Sequence, residues 1–277
     1  MASIRPSHIS PDVPPLGEGT PGVRKALLPL GGIVMTLAVA WSYLAYMAWG
    51  MENMDVAAEW WLMPRMTNWD RADLALVFAM WAIMMTAMML PSALPLLSLF
   101  VRSNSQRYSR ARAMLTTAAA GLGYVSAWGV FSAFATLAQW GLLEARLVSP
   151  MMASSSPYLS ALLLAAAGAY QFTALKYACL SRCRSPLSAL MTQKRNGMRG
   201  ALLLGFGQGV YCVGCCWLLM ALLFVLGVMN LLWVVALTVL VLLEKFLHQP
   251  RWFVQLSGAA LLAWAVLVVG QAVFLPH

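Results

Sequence analysis

Residues 200–246 read GALLLGFGQGVYCVGCCWLLMALLFVLGVMNLLWVVALTVLVLLEKF. No charge interrupts the run before Glu244 and Lys245. It is far longer than the ~20 apolar residues one helix needs to cross a hydrocarbon core of about 30 Å. The stretch therefore predicts two membrane spans, with Gly227, Met229 and Asn230 as the turn between them. In the first of these spans, helical steps of about 100° put Gly205, Gln208, Gly209, Cys212, Cys215, Cys216 and Leu219 on one face. Small residues, one amide and three sulfurs share a surface where most polar atoms are costly.

The composition agrees with a membrane chain. Of 277 residues, 61% are hydrophobic and 10% charged, against about 25% charged in soluble domains. Short alternating segments of the β-barrel kind are not visible, so the expected class is all-α, a polytopic transmembrane helical bundle in the lipid bilayer. The net charge of +9 comes from basic residues in short loops, not from a patch interleaved with aromatics. Nucleic-acid binding is therefore rejected. Five cysteines, none in an obvious extracellular loop, do not make a secreted disulfide framework.

Outward from the opening stretch, residues 1–25 form a Pro- and Gly-rich tail, expected to be disordered and cytoplasmic. A cleaved signal peptide fits it poorly. Residues 26–277 are expected to form a single transmembrane domain. The first span covers roughly 26–50, and an acidic loop with Trp60 and Trp61 follows, suited to the membrane interface. The second covers 72–101, and Pro91 and Pro95 are expected to break it. The third runs over 113–143. The fourth covers 158–178 and ends in a basic stretch with Lys176, Cys179, Arg182, Cys183 and Arg184. The seventh spans 252–274. With about seven spans and the amino terminus cytoplasmic, 15 of the 18 Lys and Arg residues fall inside and 3 outside, as the positive-inside rule requires.

Chemistry has few places to reside. The histidines are His8, His248 and His277, none within a span, which argues against haem and against an imidazole-rich zinc site. Glu244 is read as an interfacial partner of Lys245 or Arg251. Sulfur remains. Cys212, Cys215 and Cys216 share a face, and Met80, Met84 and Met88 form a stripe at i, i+4, i+8 on the second span. Thiolates and thioethers are soft ligands that select Cu(I) over hard cations. Each group also has an ordinary reading: methionines as adaptable packing, Gly205 and Gly209 as a close helix contact, and Tyr170, Gln171 and Gln208 as interhelical hydrogen-bonding groups. Cys179 and Cys183 would share a helix face among positive neighbours that favour thiolate. Cys212 is roughly 18 Å along its helix, so the two cysteine groups are expected to stand apart in depth.

The stretch from Met80 to Pro95, the residues Ala169, Tyr170, Gln171 and Phe172 with Lys176, Cys179, Cys183 and Pro186, and Cys212 through Met220 together resemble one bacterial family. It consists of predicted metal-binding integral membrane proteins, some labelled copper chaperones, and the likeness covers roughly residues 72–245. Glu244 and Lys245 also resemble its pattern. The resemblance implies a multi-pass protein of the bacterial inner membrane and a metal, most naturally copper.

The expected function is binding of Cu(I) and its transport or delivery to a copper chaperone or cuproenzyme partner. Cys212, Cys215 and Cys216 would be central ligands, Met84 and Met88 thioether partners, and Cys179 and Cys183 a cytoplasmic-side pair. Two rivals stand beside it: a thiol–disulfide oxidoreductase using Cys212 and Cys215, and a non-catalytic assembly subunit whose sulfurs only pack. A homo-oligomer is compatible with all three.

Overall fold

The computed structural model describes residues 21–52, 69–107, 109–147, 156–185, 197–228, 230–247 and 251–274. Most of the amino-terminal tail, the Trp60 and Trp61 interface and most of the basic loop before Arg199 lie outside them. Among the described residues the chain is all helical: α1 (Pro21–Glu52), α2 (Arg71–Arg107), α3 (Arg110–Glu144), α4 (Pro157–Tyr170), α5 (Ala174–Arg184), α6 (Gly197–Ala221), α7 (Leu223–Leu226), α8 (Leu231–Phe246) and α9 (Arg251–Phe274).

Five of these segments are long and apolar enough to cross a membrane: Gly31–Gly50, Arg71–Val101, Ala111–Glu144, Gly197–Leu226 and Arg251–Phe274. Their outward faces carry large apolar side chains such as Leu122, Phe134, Leu203, Val266 and Phe274, which suits lipid as the surrounding solvent. Helix α8 has 16 residues, about 24 Å of rise, and is shorter than those five segments. The turn before it matches the expected position, because Gly227 adopts φ +90°, a conformation other residues rarely take.

Two expectations about breaks are corrected. Pro91 and Pro95 do not interrupt the second span, since α2 is helical through both. Carbonyls near the prolines find side-chain donors: the Met89 carbonyl accepts from Ser92 Oγ at 2.7 Å and Tyr124 Oη at 3.0 Å, and the Pro95 carbonyl accepts from Ser98 Oγ at 2.9 Å. Hydroxyls on the same or a neighbouring helix are how bundles tolerate proline at depth. The break falls instead in the fourth span, where α4 and α5 meet at 65°. Its sequence signal is Gln171-Phe172-Thr173. Thr173 is extended, and its side chain accepts from the Lys176 backbone N–H, so it starts a fresh helix as an N-cap.

Glycine sets how the helices approach. A Cβ on Gly205 would fall on the Ala120 carbonyl oxygen, and one on Gly123 on the Leu202 carbonyl oxygen. A Cβ on Gly209 would lie 2.7 Å from Ala127 Cβ. Helices α3 and α6 therefore touch backbone to backbone, the ordinary meaning of a small-xxx-small pair. The contact brings Tyr124 of α3 level with Cys212 of α6. Gly168 and Gly258 do the same for α4 and α9, since the Gly258 carbonyl lies 2.9 Å from a Cβ on Gly168.

Candidate metal centre

Cys212, Cys215 and Cys216 occupy the inner face of α6, as the helical spacing predicts, and all three are buried. Their thiols are not equivalent. Cys215 Sγ and Cys216 Sγ both donate back to the Cys212 carbonyl, at 3.1 and 3.0 Å. Cys212 Sγ turns the other way and meets polar groups from two further helices. Lys245 Nζ donates to it at 2.8 Å, and Tyr124 Oη lies 2.9 Å away. Lys245 Nζ also donates to Ser92 Oγ at 3.0 Å, and Ser92 Oγ stands 2.9 Å from Tyr124 Oη. A closed polar cluster thus surrounds one cysteine sulfur in an apolar core.

The thioether that reaches the cysteines belongs to Met89, whose Sδ is 4.0 Å from Cys216 Sγ. Met84 and Met88 are buried in the same helix. Met88 sits one turn from Ser92, and Met89 is within the same arc of the helix face.

The bend at residues 171–173 changes where the other cysteines go. A straight fourth helix would carry Cys179 and Cys183 away to the membrane edge, which is why they were expected to stand apart. Instead α5 lies against α6. Cys179 Sγ would be 2.9 Å from a Cβ on Gly214, so that glycine makes the seat for Cys179. Cys183 comes near enough to Cys215 for the two thiols to interact electrostatically, and its carbonyl accepts from Gln208 Nε2 at 3.4 Å. Tyr170 Oη donates to the Gly214 carbonyl. Cysteines from two helices therefore converge, with Cys215 the link between Cys183 and the α6 cluster.

An ion pair holds α5 in place, and here a second expectation is corrected. Glu244 does not pair with Lys245 or Arg251. Its Oε2 accepts from Lys176 Nζ at 2.7 Å, with both side chains buried. Its Oε1 accepts from Gln171 Nε2 at 2.9 Å and from Ser257 Oγ at 3.4 Å. Arg184 donates to the Glu244 carbonyl through Nε at 3.0 Å and through its terminal nitrogen. The polar residues of the bend are thus bonded across α4, α5, α8 and α9. Lys176 could be placed by a burial argument, but its partner could not, because the bend that turns it inward has no strong sequence mark.

The donor set fits a soft, low-coordinate cation better than a hard one. The nearby carboxylate is engaged by Lys176, and what remains is thiol and thioether. Among the described residues, no three or more of His, Cys, Asp and Glu are grouped to hold a metal ion; both Cys215 and Cys216 point at a carbonyl, not at a shared centre. Sequence reasoning missed Met89, Ser92, Tyr124 and the role of Lys245. Ser92 had a usable signal, since it continues the Met84–Met88 stripe by one more turn.

No curated protein and no solved structure matches the chain. A family comparison does match, over residues 78–268, and that interval contains Met84, Met88, Met89, Tyr124, all five cysteines and Lys245. The chain belongs to the PpoB2 family, described as copper chaperone.

Proposed function

We propose that this chain binds Cu(I) within the bilayer through its cysteine cluster and passes it to a partner protein. The observation that carries the reading is the set of buried thiols Cys212, Cys215 and Cys216 on one face of α6, with the Met89 thioether 4.0 Å from Cys216 Sγ and half-buried Cys183 nearby on α5. Soft ligands in an apolar surround favour a monovalent soft cation, and the family description supports copper as its identity. Met84 and Met88 extend the thioether supply along α2, and Cys179 and Cys183 on α5 provide the side from which copper enters or leaves. Copper is the cargo, so each contact has to be exchangeable.

The proposed setting is a bacterial inner membrane, with residues 26–277 forming one domain of seven spans and the amino terminus in the cytoplasm. It counts α4 with α5 as one bent span and α8 as another, and rests on the 15 to 3 distribution of Lys and Arg. One observation favours an oxidoreductase, through a pair other than Cys212 and Cys215: Cys183 and Cys215 are on different helices and near enough to interact electrostatically. Copper content separates the two readings. Protein purified anaerobically is expected to carry copper by elemental analysis, and protein with Cys212, Cys215 and Cys216 all changed to Ser is expected to lose it. Equal copper in the two preparations would refute the proposal.

A further inference from the structure

We infer that Lys245 is the resident counter-ion of a bis-cysteinate Cu(I) complex formed by Cys212 and Cys216, so that it sets the charge the site accepts. The inference rests on the copper reading above and adds to it a residue that no ligand list would include.

Charge accounting carries it. Among the described residues, two lysines and one carboxylate are buried where α5, α6 and α8 meet: Lys176, Lys245 and Glu244. Glu244 is taken up by Lys176 at 2.7 Å. Arg184, the guanidinium nearby, donates to the Glu244 backbone and not to the sulfurs. Of those two lysines, Lys245 is the one without a carboxylate, although it is the chain neighbour of the acid. An unpaired ammonium in a bundle core is costly and persists where something needs its charge. Its Nζ is aimed at Cys212 Sγ and Ser92 Oγ, at 2.8 and 3.0 Å.

Copper binding uses that charge. Cys212 and Cys216 are one helical turn apart, so both sulfurs can reach one ion once the Cys216 thiol swings off the Cys212 carbonyl. Each thiol gives up its proton, the two protons leave to water, and two S–Cu bonds form with no change of oxidation state. One positive ion and two thiolates make a complex of charge minus one. In a low-dielectric core a net charge is expensive, and the Lys245 ammonium already touching Cys212 brings the assembly to neutrality. The Met89 thioether, 4.0 Å from Cys216 Sγ, can add a third ligand without altering the charge.

The test is Cu(I) affinity of the full-length protein in detergent, measured anaerobically by competition with a chromogenic Cu(I) chelator. Lys245→Met and Lys245→Gln are two neutral variants, Lys245→Arg keeps the charge, and each is checked for wild-type melting. Either neutral variant is expected to weaken Cu(I) binding by at least about tenfold, and Lys245→Arg to stay within about threefold. Adding Cys216→Met to Lys245→Met makes the complex neutral again and is expected to recover part of the lost affinity. Unchanged or tighter binding by well-folded neutral variants would overturn the counter-ion role while leaving the copper site standing. Wild-type protein that binds no Cu(I) would overturn both.

Discussion

The ion pair between Lys176 and Glu244 is the feature whose removal has the most legible consequence. Lys176→Met keeps most of the side-chain volume and deletes the charge. Glu244 is then a carboxylate at 2% exposure with Gln171 Nε2 at 2.9 Å and Ser257 Oγ at 3.4 Å as its remaining donors. Breaking a buried pair from one side typically costs about 3–5 kcal/mol, because the surviving charge is uncompensated. Two donors still face this carboxylate, so the lower end applies, about 3 kcal/mol. For a chain of this size that is a fall of roughly 6–12 °C in apparent Tm. Intrinsic fluorescence of the protein's 12 tryptophans during a thermal melt in detergent is a sufficient assay. The double variant Lys176→Met, Glu244→Leu should regain most of the loss, since replacing a whole buried ion pair with apolar side chains is often neutral. The pair also pins α5 against α8, so Lys176→Met should speed maleimide labelling of Cys183. A melt within about 2 °C of wild type, or a double variant no better than the worse single one, would refute the reasoning.

Gly205→Ala should lower stability by about 1–3 kcal/mol, because its Cβ would meet the Ala120 carbonyl, whereas Gly207→Ala should not, because nothing lies within 4 Å of a Cβ there; equal melts for the two variants would refute the backbone contact of α3 with α6. Mild oxidation should join Cys183 to Cys215, the thiol of α6 that interacts electrostatically with it, and peptide mass spectrometry locates the bond. Recovery of a Cys212–Cys215 disulfide alone would contradict the placement of α5.

The helix faces were legible because the membrane simplifies the problem. With almost every residue apolar, a small or sulfur-bearing residue at helical spacing has few reasons to be there. Gly205, Gly209, Cys212, Cys215 and Cys216 all went to the face that the 3.6-residue period assigns. The turn at Gly227 was legible for the same reason. What could not be read was direction after a break. Pro91 and Pro95 look like breakers by local chemistry, yet Ser92, Ser98 and Tyr124 supply donors to carbonyls around them, and Tyr124 comes from another helix. Gln171-Phe172-Thr173 looks like an ordinary span interior, yet its capping threonine turns the chain by 65°. In both cases tertiary partners decide between outcomes that local propensity leaves close in energy.

That bend is also why the site was only half visible. Glu244 and Lys245 are adjacent, so pairing them is the natural first reading. On a helix, however, neighbouring residues point about 100° apart, and each looks to a different helix for a partner. Once α5 turns back, Lys176 reaches Glu244, and Lys245 is released to face Cys212. The same bend carries Cys183 to Cys215. One local departure from a straight helix therefore supplies both halves of the centre: the second group of cysteines, and the lysine that would otherwise have belonged to the acid beside it. A Thr173→Ala change, which removes the side-chain acceptor for the Lys176 N–H, tests this link through the oxidation experiment above. If α5 depends on that cap, the variant should form the Cys183–Cys215 bond more slowly than wild type. An unchanged rate would mean that the ion pair alone holds the bend.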